Sequence, residues 1–295
     1  MRHTGNTLIY IGLLALAACA QDCPAPQGNG EGRMEMRLTM EHPGATRATA
    51  TAFEAGDRIG LYAVADSIKL SPADNLLNNV ALTYTGTGQA WSSRYPLYWD
   101  KGSYNLYAYY PHTLSVKSAT DMPFAVSTDQ STPRSGSTPG GYEASDLLYA
   151  ARKRVAATAE PVVLTFRHLM SHLTIRLIKG EDCEDDLPTN ARVYVLGTVP
   201  EATIDLAYGE ATKNPRVQER AIRARQRSDY VYEAIVVPQR IQYRTPLVEV
   251  EMGGISYVFE DIIHFKAGTD HLVNIVINED PEKMEMNISG EVDKW

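Results

Sequence analysis

Cysteine is scarce, with three residues in a chain of 295. A chain of this length can bury a core without covalent staples, so a disulfide framework is not required. The apolar run Leu8 to Ala18 stops at eleven residues, too short for a spanning helix. Sustained amphipathic helical periodicity is missing throughout, which leaves strands as the main element. Basic excess is missing as well: the formal charge of −8 argues against a general nucleic-acid binder. Phenylalanine is rare, 5 against 17 tyrosines. That balance suits strands whose rings bury their bodies and keep their hydroxyls wet.

Signatures of catalysis and metal binding are equally thin. His168 and His172 are four apart, so on a helix they would share a face as two zinc ligands do. Leu169 stands where that motif needs a glutamate, and Leu173 onward alternates like a strand, so the expected role is structural, with a ring satisfied by a buried hydrogen bond. Glu181, Asp182, Glu184, Asp185 and Asp186 lack the ligand spacing and mid-loop glycine of a calcium loop and read as a solvated linker. Lys213, Arg216, Arg220, Arg223, Arg225 and Arg227 have no interleaved aromatics; they read as an exposed strand or loop and offer a second protease target. Gly136 to Gly140 neither follows a strand nor opens a helix, which excludes a nucleophile elbow. The chain is expected to be no enzyme, with no cofactor, no metal site and no nucleic-acid partner.

What is present begins at the N-terminus. Arg2 and His3 precede the apolar run, which ends in Leu16-Ala17-Ala18-Cys19. Residues 1–18 read as a lipoprotein signal peptide and Cys19 as the acylated first residue of the mature protein, since small residues before a cysteine match the bacterial lipobox. Residues 19–33 are rich in Gly, Pro, Gln and Asn and form a flexible tether. Of the other cysteines, Cys23 falls in the tether and Cys183 in the acidic loop; a free structural thiol is expected at Cys183.

The folded part starts with an alternation. Met34, Met36, Leu38 and Met40 occupy every second position, the period of a strand with one buried face. A short connection leads to Thr46-Arg47-Ala48, where a trypsin-like protease could cut. Cleavage would remove the first strand and leave an apolar groove with unpaired backbone, an acceptor for a strand from another molecule. Ile59 to Val64 and Ala81 to Tyr84 read as further strands. Tyr104 to Pro111 reads as a central one, because Tyr104, Leu106 and Ala108 share one face while Tyr107 and Tyr109 share the other. Residues 113–142 read as a long loop exposed for function or display. The charged segment Lys179 to Pro188 is the expected boundary between an N-terminal β-sandwich, 34–180, and a C-terminal one, 187–295. Met252-Gly253-Gly254-Ile255 predicts a two-residue hairpin. Met284, Met286 and Ile288 alternate like the first strand; this segment either donates itself to a groove or pairs within its own domain. Two all-β sandwiches in tandem are the predicted architecture.

Taken in order, the lipobox at Cys19, Thr46-Arg47-Ala48, Phe53, Gly56-Asp57-Arg58-Ile59-Gly60-Leu61-Tyr62, Tyr98-Trp99 and Tyr107 to Pro111 resemble the fimbrillin family of Bacteroidetes pilus subunits. Asp129-Gln130-Ser131, Asp146-Leu147-Leu148, Phe166-Arg167-His168, Val237-Pro238-Gln239 and the closing Trp295 extend the resemblance over most of residues 34–295. It implies two transthyretin-like β-sandwiches, lipidation at Cys19 in the outer membrane, scission of Arg47-Ala48 by an arginine-specific protease, and a neighbouring fimbrial subunit's strand in the vacated groove. The expected function is a structural or adhesive subunit of a cell-surface fimbria. The alternative is a surface lipoprotein that binds glycan or host protein and never polymerises.

Overall fold

The computed structural model describes residues 33–43, 53–72, 75–86, 91–114, 116–136 and 138–293. Cys19, Cys23, Arg47, Ala48 and Trp295 lie outside them. The first half contains β1 Leu38–Glu41, β2 Arg58–Ala65, β3 Leu77–Tyr84, β4 Trp91–Ser92, β5 Ser103–Tyr110, β6 Met122–Ala125, α1 Gly141–Ala144, β7 Leu148–Ala156, β8 Val162–Thr165, β9 Arg167–His168 and β10 Ser171–Lys179. Then follow β11 Arg192–Val195, β12 Glu201–Asp205, β13 Glu210–Lys213, β14 Ile222–Arg223, β15 Arg225–Ser228, β16 Val231–Val236, β17 Gln239–Ile241, β18 Pro246–Met252, β19 Ile255–Glu260, β20 Ile263–Phe265, β21 Thr269–Ile277 and β22 Glu285–Asp293. The protein is nearly all β.

Six strands form one sheet in the order β4-β3-β2-β5-β7-β9, and β5 is interior, as its two-sided sequence predicts. Leu106, Ala108 and Tyr110 belong to one hydrophobic cluster, which also holds Met36 and Met40. Tyr107 and Tyr109 face the other way, into a second and larger cluster with Met122, Ile204 and Val250. A strand apolar on both faces must be covered on both, so this sheet lies between two cores. On its second face the Tyr149 hydroxyl donates to the carbonyl of Leu206 at 2.9 Å. Gly209, with φ +68°, comes so close to that ring that an added Cβ would overlap it.

The larger cluster is walled by a five-stranded sheet, β15-β16-β10-β21-β22, and a four-stranded one, β14-β11-β18-β19. Here the structure departs from the sequence reading twice. β10, expected to close the N-terminal sandwich, lies between β16 and β21, and Lys179 to Pro188 connects β10 to β11 within this group of sheets. Its parallel ladder with β21 runs from His172 to Lys179, a pairing about a hundred residues distant that no local composition announces. The segment 113–142 is also no simple display loop: β6 pairs antiparallel with β12, and α1 follows. Fully buried Gln130 anchors the segment, accepting from the backbone N–H of Ile235 at 2.8 Å and donating to its carbonyl at 2.6 Å.

Candidate functional site

The first strand is the element with functional potential. Leu38 to Glu41 pairs in parallel with Val162 to Thr165, and Pro43, which has no N–H to give a ladder, follows close behind. Upstream the neighbour changes. The N–H of Met36 donates to the carbonyl of Leu97 at 2.8 Å, and the N–H of Trp99 donates to that of Met34 at 2.9 Å. Val162 and Phe166 donate their N–H groups to the carbonyls of Arg37 and Glu41, both at 2.9 Å. The segment 34–41 is therefore a plug with backbone partners on both flanks.

The alternation serves this plug only in part. Met36 and Met40 are 6% and 5% exposed and sit in the smaller core, Leu38 is half-buried, and Met34 is 42% exposed. A cleft of about 300 Å³ beside the strand is lined by Glu35, Met36, Leu38, Leu82, Trp91, Ser92, Ser93, Pro96 and Leu97. Even with the strand in place, the groove is incompletely filled along its upstream half.

His42 fastens the downstream end. Its ring meets Phe53 edge-on with centroids 4.9 Å apart and stands 6.2 Å from the ring of His168. Burial pushes its pKa down to about 4; the Asp146 carboxylate opposes this and His168 adds to it. Phe53 continues the apolar contact to Trp91, Tyr110 and Phe166. Sequence reading missed His42, because a lone histidine before Pro-Gly carries no pattern.

His168 and His172 lie on β9 and β10 rather than on a helix. Nδ1 of His168 is 2.7 Å from Asp146 Oδ1, and Nδ1 of His172 is 2.8 Å from Asp270 Oδ1. Each ring has a carboxylate beside it, so the expected structural role accounts for both. Most of the basic run is exposed as expected, at Lys213, Arg216, Arg220 and Arg227, with Arg223 and Arg225 half-buried. What the sequence did not announce is that Arg225 and Arg227 pair with nearly buried Glu233 at 2.9 and 2.8 Å, and that Arg225 also reaches Glu143 at 3.2 Å. Alternating arginines opposite one carboxylate in the apolar run Val231 to Val236 were the available signal. Cys183 is a free thiol, half-buried, 3.2 Å from the carbonyl of Ile277. Among the described residues, no group of acidic, histidine and cysteine side chains has the arrangement of a metal site, and no helix is long and apolar enough to cross a membrane.

At the other end of the chain, Met284, Met286 and Ile288 are half-buried against the larger core. Their strand, β22, forms an antiparallel ladder with β21 from Glu285 to Asp293. The structure brings neither this segment nor its core to the first strand.

A family model described as fimbrillin-like matches residues 46–295. The chain belongs to the fimbrillin-like family. This fimbrillin-like chain is 28% identical over 188 residues, 58% of its length, to the candidate fimbrium tip subunit Fim1C of Bacteroides ovatus. It spans about a third of that relative, 34%. Among solved structures it resembles a candidate cell adhesion protein from Bacteroides uniformis with a TM-score of 0.68 and 19% identity, over 90% of this chain and 99% of the other. A second such protein, from Bacteroides ovatus, gives a TM-score of 0.65 at 18% identity, over 89% and 98% of the two chains. At these identities the two structures speak for the fold. Family membership indicates a fimbrium-associated protein of the cell surface.

Proposed function

We propose that this fimbrillin-like chain is a structural or adhesive fimbrial subunit, exported as a lipoprotein through Cys19 and assembled by strand exchange after cleavage between Arg47 and Ala48. The two hydrophobic clusters are, in this reading, the cores of two tandem transthyretin-like sandwiches. The observation that carries the proposal is the plug itself. Segment 34–41 fills a groove between residues 97–99 and 162–166, and Arg47 lies in the sequence between it and the next described strand. Removing it would bare carbonyl and N–H groups on both flanks and the seats of Met36 and Met40, worth about 1.5 to 3 kcal/mol each when filled. A neighbouring subunit's strand of alternating apolar residues would satisfy both needs. The partners implied are other fimbrial subunits, an arginine-specific protease and, before processing, the outer-membrane lipid layer.

The reading keeps β22 in its own sheet, because donating Met284, Met286 and Ile288 would break a ladder of eight residue pairs. The test is the intact mass and N-terminal sequence of the mature protein from the cell surface, with an Arg47→Ala variant beside it. A start at Ala48, with the variant lipidated and unassembled, is the expected result. A mature protein that begins at lipidated Cys19 and still functions would replace this reading with a non-polymerising lipoprotein that binds glycan or host protein.

A further inference from the structure

β19 is an edge strand of unusual sequence. It closes the sheet β14-β11-β18-β19 and, among the described residues, pairs on one side only. Exposed edges are ordinarily blunted by charge, proline, bulges or brevity. In the larger sheets the other edges follow that rule, with Arg225 and Arg227 on β15, Pro123 in β6, Glu210 and Lys213 on β13, Glu285, Glu291 and a bulge in β22, and two residues each for β4, β9 and β14. The strands of the two-stranded sheets, β1, β8, β17 and β20, are only three or four residues long. β19 reads Ile255-Ser256-Tyr257-Val258-Phe259-Glu260, without Lys, Arg, Pro or Gly, and its one charge is at the end. Ile255 and Val258 are 56% and 52% exposed.

Register shows what this edge fits. Ile255, Tyr257 and Phe259 lie opposite Met252, Val250 and Val248, whose side chains are buried, so the odd positions face the core layer. Ser256 and Val258 face outward beside Glu251 and Glu249. The turn has two residues, Gly253 at φ +59° and Gly254 at φ +82°. Such a turn makes Met252 and Ile255 the closing hydrogen-bonded pair, which turns the N–H and C=O of Ser256 and Val258 away from β18, toward the open edge.

We propose that this edge is a seam between two copies of the chain, β19 pairing antiparallel with β19 across a two-fold axis at Tyr257. That register sets Ser256 against Val258 in both hydrogen-bonded pairs. On the core-layer face it sets Ile255 against Phe259 and Tyr257 against its mate. Glu260 falls opposite Gly254, so no like charges meet, and the inner-face pairs are all apolar. A second copy satisfies the backbone and both faces at once, and the isologous arrangement closes on itself. The seam is short, so the contact belongs with weak interfaces that effective concentration on a surface would strengthen. It goes beyond the strand exchange proposed above and uses no residue of the first strand.

The test is sedimentation equilibrium of the purified full chain over a roughly hundredfold concentration range. The chain carries Cys19, Cys23 and Cys183 replaced by Ser, which also removes the lipid site. A monomer–dimer equilibrium is expected. The double variant Ser256→Lys and Val258→Lys sets lysine against lysine in both pairs; it should lose the dimer while its denaturation midpoint, taken at a concentration where both proteins are monomeric, stays close to that of the parent, as both positions face outward. Register is read by oxidation: Ser256→Cys protein mixed with Val258→Cys protein should form a disulfide-linked heterodimer, and neither alone should cross-link. A wild-type chain monomeric throughout, a dimer indifferent to the two lysines, or a dimer in which the mixed cysteines fail to join would each overturn the proposal.

Discussion

Replacing Met40 by Ala tests whether the first strand is held by its buried methionines or by its ladder alone. Met40 is 5% exposed in the smaller core, in the same cluster as Met36, Trp99 and Leu164. Truncating a buried methionine costs about 2 to 5 kcal/mol, the lost transfer energy plus the cavity. The four-residue ladder of β1 leaves little to absorb this, so about 3 kcal/mol is the expected loss, roughly a hundredfold rise in the population with the strand out. The control is Met34→Ala. At 42% exposure it should change stability by less than about 0.5 kcal/mol. Hydrogen exchange reads the difference directly, because the amides of Val162 and Phe166 donate to the carbonyls of Arg37 and Glu41. Their exchange should quicken by about two orders of magnitude in Met40→Ala, while the amide of Ile235, held by Gln130 in the larger core, should not change. Equal costs for the two methionines, or unchanged protection at Val162 and Phe166, would refute the reasoning.

Three further outcomes follow from the same contacts. His42 is favoured neutral in the fold, with its pKa at about 4 against 6.5 once freed. The folded state therefore binds fewer protons between these values, and its stabilisation, up to about 3 kcal/mol, is whole above pH 6.5 and fades toward pH 4. The protection factor at Phe166, exchange corrected for the intrinsic rate at each pH, should fall as pH drops through that window in the wild type and stay flat in His42→Phe. Gln130→Ala strips Ile235 of both backbone partners; a loss of about 2 to 3 kcal/mol in urea unfolding is expected, with faster proteolysis near residues 126–140. Arg225→Ala leaves the nearly buried Glu233 carboxylate with Arg227 alone. It should cost about 2 to 3 kcal/mol at neutral pH, and much less in a Glu233→Gln background, where the carboxylate is gone.

The parts of this fold that could be read in the sequence are those with a local cause. β5 shows both its faces in eight consecutive residues, and the Gly-Gly hairpin declares itself by the φ angles it needs. The histidine pair has the spacing of two zinc ligands but failed the pattern at Leu169, where a glutamate is needed, and at the strand-like run from Leu173; each ring proved to have an aspartate beside it. The parts that could not be read depend on distant partners. β10 has the alternation of any half-buried strand, and only β16 and β21 determine that it joins the five-stranded sheet. Likewise nothing near Gln130 indicates that its amide will lie against Ile235, 105 residues along the chain. The charge of residues 179–188 suggested a boundary, yet a solvated connection from β10 to β11 has the same composition.

The two alternating methionine segments mark the limit of such reading, because alternation fixes which side chains turn inward and says nothing about how firmly a strand is held. The structure supplies that difference. Met286 and Ile288 belong to a strand with eight residue pairs to one neighbour, β21, itself paired along its length with β10. Met36 and Met40 belong to a segment whose ladder has four pairs, whose upstream half turns to a different neighbour at Leu97 and Trp99, and whose end rests on a histidine that burial keeps neutral. Releasing the second segment disturbs fewer pairs, and those pairs are divided between two flanks. If one end of this chain is built to leave its groove, the balance of contacts selects the first strand.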